Sequence, residues 1–241
     1  MKASPSDQQA ILEVQHLDDQ LAALTLREET LPETALLSAT TIKRNNVRDL
    51  RIAAETERTD VKRELARAEG DVEQIVSRIE RDEKRLNSGT GTPKELEQTQ
   101  HELVTLGLRR AELEEAELTI MVTVEAITNR ITELSAQEDA FNAEIADIEI
   151  KRENALTIII NERAAVSEKR AAIAAPIAQD LKDLYAKIAG DNGGNGAAML
   201  VGNECMGCRL TINTTEVQRI GTLPEDEVVR CEQCRCILVR G

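Results

Sequence analysis

Aromatic side chains are almost missing from this chain of 241 residues, which has one Phe, one Tyr and no Trp. A domain of this length usually anchors its core with several aromatic side chains, which bury about 150–250 Å² each. The sequence therefore excludes a compact core built around aromatic residues. Charged residues make up 31 % of the chain, and Ala, Glu, Leu and Arg are abundant, which is typical of long helices and coiled coils.

Long apolar runs are missing as well. No stretch approaches the roughly 18 apolar residues of a membrane-spanning helix, and the opening residues lack the apolar segment of a secretory signal. We therefore expect a cytoplasmic protein that has no membrane partner. Five cysteines all follow position 204, and in a reducing compartment they indicate a metal site rather than a disulfide framework.

Residues suited to catalysis are scarce. His16 and His101 are the only histidines, and both fall in segments with helical periodicity. No Ser/His/Asp or Cys/His arrangement is visible, and the many acidic residues follow the helix faces expected to meet water. We therefore predict no catalytic residue and expect that the protein is not an enzyme.

Apolar residues recur at alternating spacings of four and three, the pattern of a coiled-coil seam. One such seam runs from Ala10 to Leu31 and stops at Pro32, and a second is regular from Val47 to Leu86. A third runs from Leu96 to Ile173, with polar residues at some of its positions. These seams predict long helices that are stabilised along their length.

Turn and cap signals separate the second seam from the third. Residues 87–91 read Asn-Ser-Gly-Thr-Gly, which favours a helix end followed by a loop. Thr92, Pro93 and Glu95 then form the T-x-x-E pattern of a capping box with proline at the first helical position.

The lengths of the two helical segments predict the topology. Residues 5–86 and 94–175 number 82 each, and equal stripes joined by a short turn fold back antiparallel. The predicted fold is mainly α: a long antiparallel coiled-coil hairpin with arms of about 120 Å, followed by a small β zinc ribbon. We expect kinks near Pro32 and Pro176 and a short helix over 177–189.

The predicted domains follow from this pattern. Residues 1–189 form the hairpin, the Gly-rich segment 190–196 is a flexible linker, and 197–241 form the ribbon. Within the ribbon we predict short strands over 198–201, 209–212, 227–230 and 237–240.

Two cysteine pairs predict the metal site. Cys205 and Cys208 form one C-x-x-C turn, and Cys231 and Cys234 form the other. Two such turns brought together complete a tetrahedral thiolate site for one zinc ion, and four thiolates leave no open position, so the metal is structural. The alternatives are a pair of redox C-x-x-C motifs or a set of buried thiols.

Cys236 is the unpaired fifth cysteine. We favour a small, apolar-like member of a strand. A competing metal ligand and a reactive thiol stay open as alternatives.

Four stretches together resemble a known family. They are SGTGTPKELEQTQHEL at the hairpin tip, LKDLYAKIAG, CMGCRLTI and CEQCRCILV. The chain resembles the bacterial four-cysteine zinc-ribbon proteins with an N-terminal coiled coil, in their actinobacterial branch. The resemblance implies zinc on Cys205, Cys208, Cys231 and Cys234. The family is catalogued as predicted nucleic-acid-binding proteins, and particular branches act as adaptors for the sigma factor sigma-54 or for secretion systems.

One position departs from the family pattern. The family usually has Gly and then Arg after the final cysteine of the site, whereas this chain has Arg235 and then Cys236. A knuckle residue with positive φ suits Gly, and any other residue there costs on the order of 1 kcal/mol.

Charge decides between two functions. Arg44, Arg48, Arg51, Arg58 and Lys62 lie along one helical stripe that could follow phosphates. If residue 86 faces 94, however, this stripe lies beside 113–136, which holds five Glu and one Arg, and charged flanks of this kind set the register of a coiled coil. The ribbon has five Arg and six acidic residues, and the net charge of −14 repels nucleic acid.

We therefore predict an interaction protein: a helical arm that presents a zinc ribbon to a protein partner, with self-association through the apolar flanks of the arm as a further expectation. Binding of nucleic acid through the ribbon and the arginine stripe is the alternative.

Overall fold

The computed structural model describes residues 1–240, and most of them are helical. The five helices are α1 (Pro5–Glu29), α2 (Pro32–Asn87), α3 (Pro93–Ala174), α4 (Gln179–Asp191) and α5 (Thr214–Thr222). The four strands are β1 (Ala197–Val201), β2 (Glu204–Cys205), β3 (Val229–Arg230) and β4 (Ile237–Arg240). The predicted class, a long helical hairpin followed by a small β region, is confirmed. Over residues 1–240, no helix is both long and apolar enough to span a membrane.

The helix ends follow the local sequence signals. The Ser4 hydroxyl accepts a hydrogen bond from the Asp7 N–H (3.0 Å) at the start of α1. At the start of α3, the Thr92 N–H donates to Glu95 Oε2 (2.7 Å) and the Glu95 N–H donates to Thr92 Oγ1 (3.4 Å), which is the predicted capping box. The chain leaves helical geometry between Glu29 and Pro32, so a full break stands where the sequence predicted a kink.

Contacts group the chain into two units. We call residues 35–149 the hairpin unit, and residues 1–34 together with 150–240 the ribbon unit. These contacts do not test the predicted division at 190–196, which stays a prediction.

In the hairpin unit, α2 packs antiparallel against α3. Ala54, only 1 % exposed, packs with Ile127, Ile131 and Leu134 at the centre of a small apolar cluster. The small alanine side chain allows this close approach, so the helices are held by a narrow seam rather than by a wide core.

Arg51 pairs with an acidic residue of the opposite arm, as predicted, but that residue lies outside the predicted range 113–136. With residue 86 facing 94, position 51 would lie opposite 129, but Arg51 Nε donates to Glu138 Oε2 (2.8 Å), nine residues further along. Near the tip, Arg78 does pair with Glu102, as that register requires. The apolar repeat alone leaves several registers nearly equivalent, so counting back from the tip predicts the facing residues only approximately.

The ribbon unit has a mixed core. Side chains from three parts of the chain meet in it: Ile11 and Val14 of α1, Leu181 of α4, and Ile237 and Leu238 of β4. The sheet has the order β2-β1-β4-β3, in which β1 and β4 run parallel and the other pairs are antiparallel. Cys205 ends β2 and Cys231 follows β3, so the metal-ligand candidates lie at strand ends of a sheet that packs against α1.

Two details of the ribbon differ from the sequence expectation. The predicted strand 209–212 is wrong: Arg209 has φ +57°, which turns the chain, and only Thr211 forms an isolated bridge, with Glu204. Helix α5 was not predicted. Its N-cap is Asn213, whose Oδ1 accepts a hydrogen bond from the Thr215 N–H (3.1 Å).

Candidate metal centre

The first knuckle joins β2 to the segment that follows it. The Cys205 carbonyl accepts a hydrogen bond from the Arg209 N–H (2.7 Å), and the Cys205 N–H donates to the Leu210 carbonyl (3.1 Å). These bonds close a tight turn around Met206 and Gly207. A side chain at Gly207 would bring its Cβ to 3.0 Å from Ala198 Cβ, so the turn lies close against β1.

The second knuckle, between β3 and β4, repeats this pattern. The Arg235 N–H donates to the Cys231 carbonyl, and the Cys231 N–H donates to the Cys236 carbonyl, both at 3.0 Å. Arg235 has φ +66°, the positive value inferred from the departure from the family pattern. Because each knuckle has the same bonds at the same offsets, Cys236 is the counterpart of Leu210.

Backbone N–H groups point at the sulfurs in both knuckles. Burial raises the pKa of the Cys205 thiol, and the N–H groups of Cys208 and Gly207 offset part of that increase. At Cys231 burial acts in the same direction, but the N–H groups of Cys234 and Gln233 outweigh it and lower the pKa. These N–H donors stabilise thiolates, the form of cysteine that binds metal.

The four predicted ligands come together. The Sγ atoms of Cys205, Cys208, Cys231 and Cys234 all lie within 4.8 Å of one another. The distance from Cys205 Sγ to Cys234 Sγ is 3.8 Å, and that from Cys208 Sγ to Cys231 Sγ is 3.9 Å. A regular tetrahedron with metal–sulfur bonds of about 2.3 Å has edges of about 3.8 Å. The residues thus fit a tetrahedral thiolate site for one metal ion.

Cys236 lies one residue before β4, so the favoured interpretation of a strand member is wrong by one position. Its side chain is fully buried, and its Sγ lies 3.0 Å from Cys234 Sγ and 3.6 Å from Cys205 Sγ. Burial is the main cause that raises the pKa of this thiol, so it stays protonated at neutral pH. The fifth thiol therefore contacts two of the four candidate ligands.

A polar network that sequence reasoning missed positions β1. Gln15, 4 % exposed on α1, accepts hydrogen bonds at Oε1 from the N–H groups of Gly196 (2.7 Å) and Ala197 (3.1 Å). Its Nε2 donates to the Gly194 carbonyl (3.0 Å). Gln15 of α1 thus binds the end of the Gly-rich segment, where β1 begins. The sequence around Gln15 contains no pattern that predicts this role.

A second network joins three helices beside the ribbon. The Tyr185 hydroxyl donates to Asp18 Oδ2 (2.7 Å), and Arg170 also binds that carboxylate, donating through Nη2 (2.9 Å) and Nε. A Cβ at Gly196 would lie 2.5 Å from the Tyr185 ring, so only glycine fits there. In the sequence, the only feature that draws attention to this cluster is that Tyr185 is the single tyrosine of the chain.

A groove of about 660 Å³ opens between α1 and the first knuckle. Its apolar lining includes Leu12, Ile173 and Met206, and the acidic side chains of Glu13 and Asp19 also line it. Met206 is 49 % exposed. Lys169 lines it too, so the groove combines reachable apolar surface with two acidic side chains and one basic one.

Two arginines of the ribbon and one of the stripe on α2 already have hydrogen-bond or ion-pair partners within the chain. Arg240 donates to five backbone carbonyls between residues 220 and 227, and Arg219 pairs with Glu216 (2.5 Å). In the stripe on α2, Arg51 binds both Glu138 and Glu55. These partners reduce the positive charge that the ribbon and the stripe could offer to nucleic acid.

Comparison with known proteins gives a consistent result. Residues 14–193 match the CT398-like coiled coil hairpin domain. The Mycobacterium tuberculosis protein Rv2229c is 34 % identical over 244 residues, covering 100 % of this chain and 98 % of the relative.

Solved structures agree. A Mycobacterium smegmatis protein matches with a TM-score of 0.88 and 31 % identity over 100 % of both chains. The structure of CT398 from Chlamydia trachomatis matches with a TM-score of 0.69 and 17 % identity over 98 % of both chains, which shows a shared fold.

Proposed function

The chain belongs to the family of proteins with a CT398-like coiled coil hairpin domain, and from this premise we propose that it is a zinc-binding adaptor whose ribbon unit binds a partner protein. Two things are proposed, the metal and the partner, and they have separate tests.

The case for zinc rests on the donor set. Four cysteine sulfurs at tetrahedral spacing suit Zn²⁺, whereas calcium and magnesium require oxygen ligands. The positive ion would offset the cost of burying several thiolates next to one another. With all four positions filled by sulfur, the ion would hold the two knuckles together and would not bind a substrate. We expect elemental analysis of the purified chain to give one zinc per molecule; a chain without bound metal would refute this part.

The case for a protein partner rests on the groove beside the first knuckle. Val201 and Met206 line it and are 51 % and 49 % exposed, a degree of exposure typical of apolar side chains at binding surfaces. The acidic Glu13 and Asp19 outnumber the basic Lys169 in its lining, which favours a basic side chain in the ligand. We therefore propose a partner segment that places an apolar side chain and a neighbouring Lys or Arg in this groove.

The long helices offer a second apolar surface. Val104, Leu108, Leu118 and Val122 lie on α3 at spacings that place them on one face, and each is at least 60 % exposed. This stripe supports the expectation that the arm binds a further helix or a second copy of the chain.

The test of the adaptor function compares capture from the native cell by the parent chain and three variants. Val201→Glu and Met206→Glu place a charge in the groove, and Ile160→Glu is the matched control, because Ile160 is 57 % exposed on α3 outside the groove. We expect the groove variants to lose a protein that the parent chain and the control both retain. Identical capture by all of them would refute the groove as the binding surface.

The absence of catalysis and the cytoplasmic location belong to the same proposal. A closed four-sulfur site is structural rather than catalytic, and free cysteine pairs suit a reducing compartment.

Nucleic-acid binding is the alternative function. We expect binding no tighter than the ~10⁻⁴–10⁻⁶ M of non-specific contact at physiological salt. Sub-micromolar binding of a fluorescent duplex or single strand, lost when Arg209 and Arg230 of the ribbon are changed to Glu, would place this alternative first.

A further inference from the structure

The two knuckles are alike in backbone, and one of the positions at which their side chains differ lies against the sulfur cluster. At the position two residues after the second cysteine, the first knuckle has Leu210, 50 % exposed, and the second has Cys236, fully buried. The N–H of each of these residues donates to the sulfur of the preceding cysteine, Cys208 or Cys234. At this position, therefore, the two knuckles share the backbone hydrogen bond and differ only in the side chain.

Cys236 presents a thiol to the sulfur cluster. Its Sγ contacts those of Cys234 (3.0 Å) and Cys205 (3.6 Å). Cys236 is not one of the four predicted ligands. The two sulfurs that it contacts come from different knuckles. A fifth sulfur therefore lies against the cluster of four candidate ligands.

The two ligands nearer to solvent are Cys208 and Cys234, since Cys205 and Cys231 are buried. Solvent-borne electrophiles and oxidants reach a partly exposed sulfur first. The second knuckle therefore has a buried thiol directly behind its more accessible ligand, and the first knuckle has none.

We propose that Cys236 is a reserve zinc ligand that replaces Cys234 when the Cys234 sulfur is lost from the site. In this exchange the zinc–sulfur bond to Cys234 breaks, the Cys236 thiol gives its proton to water, and a zinc–sulfur bond to Cys236 forms. The number of thiolates on the ion stays at four. This inference rests on the proposed zinc site.

The test compares the two equivalent ligands. Zinc transfer from the full chain to a chromophoric chelator is timed for Cys208→Ser, Cys234→Ser and the double variant Cys234→Ser/Cys236→Ser. Mutation of a residue that hydrogen-bonds to a metal ligand lowers metal affinity by about 10–100-fold, and loss of a ligand itself should lower it at least as much. We expect Cys208→Ser and the double variant to lose zinc on the order of 100-fold faster than the parent, and Cys234→Ser to stay within about tenfold of it.

A second measurement needs no variant of a ligand. The parent chain and Cys236→Ser are treated with limiting iodoacetamide, which transfers its carbamidomethyl group to one sulfur and releases iodide. Native mass spectrometry then reads zinc on the singly modified molecules. We expect chains modified at Cys234 to keep one zinc in the parent and to lose it in Cys236→Ser.

The outcomes separate the two proposals. A parent chain without zinc refutes the proposed metal site itself. Two results would refute the reserve ligand alone, provided that the parent chain holds zinc. One is an equal rate of zinc loss from Cys208→Ser and Cys234→Ser. The other is a double variant that keeps zinc as well as Cys234→Ser does.

Discussion

Tyr185 offers a direct test of how tightly the ribbon unit is packed. Its side chain is 4 % exposed, and its hydroxyl donates a 2.7 Å hydrogen bond to the Asp18 carboxylate. Burial disfavours the phenolate, and the negative charge of Asp18 adds to this effect, so both raise the pKa of Tyr185 well above its ordinary value; Arg170 opposes them only in part. We expect the phenol to stay protonated in the folded chain at pH values where an exposed tyrosine ionises.

The sign of the resulting pH dependence follows from linkage. In the unfolded chain Tyr185 loses its proton near pH ~10, whereas the folded chain keeps it. Above that pH the unfolded state binds fewer protons, so the free energy of unfolding falls by about 1.4 kcal/mol for each further pH unit. Below it, the contribution of the protonated phenol to stability is fully present.

The assay uses the fact that the chain has one Tyr and no Trp. The ultraviolet absorbance of tyrosinate therefore reports Tyr185 alone. At about pH 11 we expect the phenol spectrum in folded protein and the tyrosinate spectrum in guanidinium chloride, with helical circular dichroism as the check of folding. Asp18→Asn removes the negative charge and should bring ionisation to lower pH. A midpoint near ~10 in parent protein that is still helical would refute the reasoning.

Three further substitutions test other parts of the structure. Gln15→Ala leaves two buried N–H groups without a partner and should lower the free energy of unfolding by about 2–4 kcal/mol in a denaturant titration. The control Gln20→Ala removes only an exposed hydrogen bond to His16 within α1 and should change that free energy by less than about 0.5 kcal/mol. Arg235→Gly removes a positive-φ side chain and should raise stability by up to about 1 kcal/mol; a loss would contradict the knuckle geometry. Ala54→Leu overfills the seam and should cost about 1–3 kcal/mol in thermal unfolding.

The features that the sequence predicted correctly depend on neighbours along the chain. The alternating seams, the Thr92–Glu95 capping box and the spacing of the cysteine pairs each lie within a few residues or repeat at a fixed interval. The positive φ of Arg235 follows in the same way, because the turn that requires it spans only a few residues. Such signals fix the hairpin and the knuckles without any knowledge of the tertiary structure.

The features that the sequence did not predict depend on residues far apart in the chain. Gln15 bonds to backbone 179–182 residues away. The N-terminal residues are another case, since the Ala3 N–H donates to the Asp226 carbonyl (2.8 Å) and Lys2 pairs with Asp226. The partner of Arg51 was missed for a related reason, because a repeating seam does not specify its own register.

Long-range contacts also join the ribbon to two helices. Read from the sequence, it is a small module behind a flexible Gly-rich linker. In the structure, β4 packs into one apolar cluster with Ile11 and Val14 of α1 and with Leu181 of α4. Zinc that binds only the folded knuckles stabilises whatever folds together with them. Removal of the proposed zinc should therefore loosen α1 and α4 along with the ribbon, and a ribbon cut at Gly190 would expose apolar surface that the intact chain buries.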